Sequence, residues 1–144
     1  MTGLSEVTGS TYAIAVTVYR PFAETLTDTR EALAAQGFGV LTEIDMQATL
    51  KTKLGVDIAP QAILGACRPP LAHAALQVEP SIGLLLPCNV VVRQVDDDRT
   101  RVETIDPDIM VSVTGNPDLL AVATEARTRL TAALNSLQPS PPTC

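Results

Sequence analysis

Apolar and polar positions change period several times along this chain, and each change marks an element. Residues Tyr12 to Val18 combine β-branched side chains with partial alternation, which predicts a first strand. Pro21 follows in the first turn of a helix, where a missing N–H costs nothing. Phe22, Leu26, Thr29 and Leu33 then recur at helical spacing, and Gly37 stands at a helix C-terminus, so an amphipathic helix of about four turns is expected. Phe38 to Asp45 returns to a period of two, with Val40, Thr42 and Ile44 on one face and Leu41, Glu43 and Asp45 on the other. Asp45 is also positioned to cap a short helix over MQATLKTKLG, which Gly55 stops and whose Lys51 and Lys53 complement the helix dipole.

The apolar QAILGAC predicts a buried strand, and Pro69 and Pro70 begin another short helix through Leu76. Pro80 to Gly83 reads as a turn. GLLLPCNVVV reads as one long strand, at an edge or bulged because Pro87 lies inside it and cannot donate to a ladder. Leu84 to Leu86 and Val90 to Val92 are expected in the core. Asp96, Asp97 and Asp98 make a charged turn into a partner strand, Thr100 to Ile105, completing a hairpin. Asp106-Pro107 opens a short helical turn through Val113. Asn116 then caps a second long helix, with Pro117 and Asp118 in its first turn. Leu119, Ala123, Ala126, Leu130, Ala133 and Leu137 form its apolar stripe, and Glu125 can pair with Arg129. Strand, long helix, several strands, long helix is the order of an α+β fold, with an antiparallel sheet and both long helices on one face.

Composition narrows the function classes. The 144 residues suit one domain over 1–138, followed by a mobile Pro/Ser-rich tail over 139–144 that ends in Cys144. Hydrophobic residues at 46% against 18% charged give a packed core, and that core is aliphatic because aromatics reach only 3%. A net charge of −6 and the shortage of stacking platforms argue against nucleic acid as a partner. The N-terminus lacks a basic segment followed by a long apolar one, so a cytoplasmic location is expected. No apolar run approaches the roughly 20 residues of a spanning helix, so no membrane partner is expected. No G-x-G-x-x-G or P-loop follows any strand.

Candidate chemistry gathers between Ile63 and Val92, which hold the single histidine and two of the three cysteines. Cys67 precedes a helix N-terminus beside Arg68, a setting that favours thiolate. His73 lies one to two turns into that helix as a possible base, acid or ligand, and Cys88 starts from a strand that can run beside Cys67. Together Cys67, His73 and Cys88 are candidates for a metal or haem ligand set, or for a peroxidatic or disulfide-exchange pair. A fourth ligand would come from Glu43, Asp45 or a dimer mate. The alternative is that both cysteines are small core hydrophobes and the histidine bonds a backbone carbonyl. Glu43 and Asp45 also form a carboxylate pair about 6.5–7 Å apart on one strand face, compatible with acid and base roles. Their structural alternative is that Asp45 caps a helix while Glu43 pairs with Lys51, Lys53 or Arg68.

Three segments in order, GFGVLTEIDMQATLKTKLGVD, ILGACRPPLAHAAL and GLLLPCNVVV, resemble the DUF302 family of small bacterial and archaeal proteins, over roughly Phe22 to Leu137. The resemblance implies a β-α-β(4)-α fold of the TBP-like type, often dimeric, and implies little about activity, because the family is named for having no assigned function. The leading expectation is a non-enzymatic homodimer that binds a small ligand or cofactor near Cys67, His73 and Cys88, with Glu43, Asp45 and Arg68 as further candidate ligand-binding residues. The next is a thiol-dependent redox or transfer protein, with Cys67 as nucleophile, His73 as proton partner and Cys88 as resolving thiol. The third is a structural or regulatory interaction module.

Overall fold

The computed structural model describes residues 8–9 and 12–138. The tail over 139–144, Cys144 and most of the N-terminal segment read above lie outside the described residues. The chain runs β1 (Thr8–Gly9), β2 (Ala13–Val18), α1 (Phe22–Ala35), β3 (Gly39–Asp45), α2 (Met46–Leu54), β4 (Gln61–Cys67) and α3 (Pro69–Val78). A 3-10 turn over Pro80–Leu85 leads to β5 (Cys88–Gln94), β6 (Thr100–Ile105) and α4 (Ile109–Thr114), and a second over Pro117–Leu119 leads into α5 (Leu120–Ser136). All strand pairs are antiparallel, in the sheet order β1-β2-β6-β5-β4-β3. The architecture is the α+β layout expected, with the two-residue β1 added at one edge.

Alternation in the central strands builds the core. Ile14, Val16 and Val18 of β2, Leu64 and Ala66 of β4, Val90 and Val92 of β5 and Val102 of β6 all point to one face. There they meet Ala32 and Leu33 of α1 and Leu130, Ala133 and Leu134 of α5. The α5 stripe from Leu119 to Leu137 is buried throughout, and Arg129 Nε bonds Glu125 Oε2 at 2.9 Å. Two threonines sit on the buried face of α1 without an orphaned hydroxyl. Thr25 donates to the Pro21 carbonyl at 2.9 Å and Thr29 to the Thr25 carbonyl at 2.7 Å. At the end of α1, the Phe38 N–H returns to the Leu33 carbonyl and the Gly37 N–H to the Ala34 carbonyl, both at 3.0 Å. Such a reversal needs a left-handed residue, and Gly37 supplies it at φ +82. A second cluster of Ala75, Ile82, Met110, Leu119 and Ala123 joins α3, the 3-10 turn, α4 and the start of α5.

Several expectations are corrected. GLLLPCNVVV is not one strand: its first residues wind into the 3-10 turn, and β5 begins only at Cys88, opposite Ala66. Pro87 therefore precedes the ladder and needs no bulge, and β5 is central, between β4 and β6. Leu84 is 88% exposed, while Leu85 and Leu86 are half-buried against the second cluster. The bulge lies instead in β3, where the register shifts between Val40 and Thr42. Val40 pairs with Ala66 and Glu43 with Leu64, both on the helix-covered side, whereas Thr42 pairs with Gly65 and Ile44 with Ile63 on the other. One extra residue thus splits the face expected from strict alternation, and β3 forms the bulged edge of the sheet. Finally, α3 continues past Leu76 to Val78. Among the described residues no helix is long and apolar enough to cross a membrane.

Candidate functional site

The expected cluster around the cysteines is only partly assembled. Cys67 ends β4, and Arg68 occupies the N-cap of α3 with extended backbone and no side-chain cap bond. Cys67 and Cys88 border one small apolar pocket of about 30 Å³, together with Phe38, Leu71, Ala75 and Ala126. His73 does not line it: Ala75 is the buried residue of α3, and His73 is exposed. Among the described residues no group of three side chains can hold a metal ion.

The pocket's charged neighbour is committed to the fold. Arg68 donates from Nε to the Gln36 carbonyl at 3.3 Å, and its Nη1 lies 3.7 Å from Glu125 Oε2. It therefore ties the C-terminus of α1 to α5. Burial first, and then the Cys67 sulfur nearby, pushes the Cys88 thiol up to about 11. At neutral pH it is a protonated core residue.

The two carboxylates of β3 are engaged as well. Asp45 accepts from the Ala48 N–H at 2.9 Å and caps α2, as its sequence position predicts. Glu43 pairs with Arg30 of α1, not with Lys51, Lys53 or Arg68. The reason is the bulge, which turns Glu43 toward the helix side where Arg30 lies.

A larger space opens where β5 begins and β6 ends. This cleft of about 440 Å³ is walled by Leu84, Leu85, Leu86 and Pro87 on one side and by Asp106, Pro107, Ile109 and Met110 on the other. Tyr12 and Ala13 close it at β2, and it reaches onto the helix-free face of the sheet as far as Val91 and Glu103. Cys88 and Pro87 border both this cleft and the small pocket. Asp106 at one end is held by Arg127 Nε at 3.3 Å.

Glu103 belongs to a row of charges across the central strands. Its Oε1 accepts from Arg93 Nε at 3.0 Å and its Oε2 from Arg101 Nε at 3.1 Å. Burial raises the Glu103 carboxyl, but the bonds and charges of Arg93 and Arg101 outweigh it and hold the group below the usual glutamate range. Arg93 and Arg101 are direct cross-strand partners, two like charges sharing one carboxylate. The features expected from the sequence include the hairpin but not this cluster. Its signal was present, because strict alternation over TRVETI places Arg101 and Glu103 on one face, and the short turn returns Arg93 beside them.

No curated protein matches the chain. A solved structure described as an uncharacterized conserved protein DUF302 from Bacillus stearothermophilus superposes with a TM-score of 0.80 at 31% identity. The match covers 88% of this chain and 98% of that one. The family model described as "Domain of unknown function DUF302" matches residues 14–137, which takes in β2 from Ile14 as well as the segments that carried the resemblance. With nearly the whole chain matched by the family model, and a structural relative of the same family at that identity, this protein belongs to the DUF302 family.

Proposed function

We propose that this chain is a homodimeric binding protein that holds a small, largely aliphatic molecule in the cleft at the Cys88 end of the sheet. The observation that carries the reading is the cleft itself. Its volume of about 440 Å³ falls in the range of roughly 300–1,000 Å³ usual for small-molecule sites, and aliphatic residues make most of its wall. Binding fits better than catalysis, because Glu103 and Asp106 are each held by guanidinium groups and Cys88 keeps its proton. The site lies beside the expected cysteine region and shares Cys88 with it. Leu84 at 88% exposure and Tyr12 at 61% are the apolar rim a second copy would cover.

Octanol is the test ligand. Saturable shifts of the backbone amides of Asn89, Val91 and Ile105 are expected, and Val91→Asp should abolish them. An absence of saturable shifts in the folded wild-type protein would overturn the reading. Light scattering tests the dimer, which a monomeric mass across the accessible concentration range would exclude. Thiol chemistry with Cys67 as nucleophile is supported by one observation, the pocket shared by Cys67 and Cys88. Alkylation of Cys67 no faster than that of free cysteine would remove it.

A further inference from the structure

Aliphatic walls account for the body of a ligand but not for the charge at one end of the cleft. Glu103 lines the cleft, and Arg93 and Arg101 each bond it through Nε. Residues two apart on a strand face are about 7 Å apart, so the guanidinium pair stands one step beyond Val91 and Glu103 on the same face. Two guanidinium groups against one carboxylate leave one positive charge in excess. Arg101 uses Nη1 on Thr17 Oγ1 at 3.3 Å, and among the described residues Arg93 bonds through Nε alone. Their side chains are 29% and 40% exposed, reachable yet partly desolvated. At the opposite end Asp106 already has Arg127 as its partner.

We propose that the ligand is an aliphatic anion, its chain in the cleft and its carboxylate or phosphate head on Arg93 and Arg101. The inference rests on the cleft being a binding site and adds the charge of the occupant. Planar guanidinium groups with free N–H pairs are suited to bidentate bonds with such oxyanions. Glu103 then competes with the ligand: its carboxylate occupies the Nε donors of both guanidinium groups and neutralises one of their two charges.

The experiment compares octanoate, octyl phosphate, octanol and octylammonium by calorimetry on the wild-type protein. Octanoate and octyl phosphate should bind more tightly than octanol, and octylammonium most weakly. The ratio between the two anions identifies the preferred head group. Added salt should weaken the anions and leave octanol unchanged. Arg93→Gln and Arg101→Gln should each reduce octanoate affinity roughly two- to fivefold, the scale of a partly exposed ion pair, without altering octanol. Glu103→Gln is the deciding variant, because removing the competing charge should strengthen octanoate binding, whereas loss of a merely structural group would weaken it. Equal binding of octanol and octanoate, or weaker octanoate binding by a folded Glu103→Gln protein, would overturn the anion assignment and leave the cleft reading standing. If no member of the series binds, the cleft reading itself falls.

Discussion

The two faces of one sheet follow different rules. On the covered face Leu64, Val90, Val92 and Val102 have 0% exposure, and aliphatic contacts with α1 and α5 fill the space. On the other face Ile63 and Val91 are half-exposed and lie beside Arg93, Arg101 and Glu103 of β5 and β6. Burying aliphatic area is worth about 25 cal/mol per Å², whereas an exposed ion pair contributes about 0–1 kcal/mol. The covered face can therefore specify the fold almost alone. What the other face carries is set by what it meets in solution.

Adjacent residues of β4 give the largest contrast. Leu64→Ala removes a fully buried side chain and should cost about 3 kcal/mol by urea unfolding, while Ile63→Ala beside it should cost about 1 kcal/mol. Equal losses would break the comparison. They would mean that the helix-free face is covered in solution, and a second copy of the chain would be the first partner to test.

This contrast also explains what the sequence could and could not reveal. Periodicity located α1, α5 and the β5–β6 hairpin because apolar burial wrote itself into spacing, as in the stripe from Leu119 to Leu137. It misread GLLLPCNVVV because a continuous apolar run has no period, and Leu84 to Leu86 take their places from a local turn and a second small cluster. The bulge at Leu41 was invisible for a related reason, since edge strands lack the two-sided constraint that fixes alternation. The candidate site was legible only in outline. Composition drew attention to Cys67, His73 and Cys88, but the orientation of α3, which leaves His73 exposed, depends on the packing of Ala75 against Ile82 and α5. Glu103 with its two arginines was within reach, in a hairpin read for its turn and not for its outward residues.

Cys88 carries the comparison into the alkaline range. Its folded pKa of about 11 lies above the 9.0 of a free thiol, so the folded state keeps a proton that the unfolded chain gives up. The contribution is intact below 9.0 and is lost as pH rises toward 11. A shift of this size corresponds to roughly 2–3 kcal/mol of stability, measurable as a falling urea midpoint across that window. Cys88→Ala should be less stable at neutral pH yet flatter through the alkaline range. If the wild type and the variant run parallel, Cys88 is not desolvated as the covered face requires.

Glu103 is the outward-facing counterpart and should give the smallest effect. Burial pushes its carboxyl up, but the bonds and charges of Arg93 and Arg101 prevail and hold it below the ordinary value of 4.5. A depressed pKa stabilises the folded state above the ordinary glutamate range, and that contribution disappears as pH falls through the lower folded value. Solvent screens a group this exposed, so the change should stay below about 1 kcal/mol and shrink with added salt. Comparing wild type with Glu103→Gln through the acid limb, at low and high salt, isolates it. A large, salt-insensitive difference would show that the charges of the helix-free face are as deeply buried as the valines behind them, and the division between a face that builds the fold and a face open to solvent would fail.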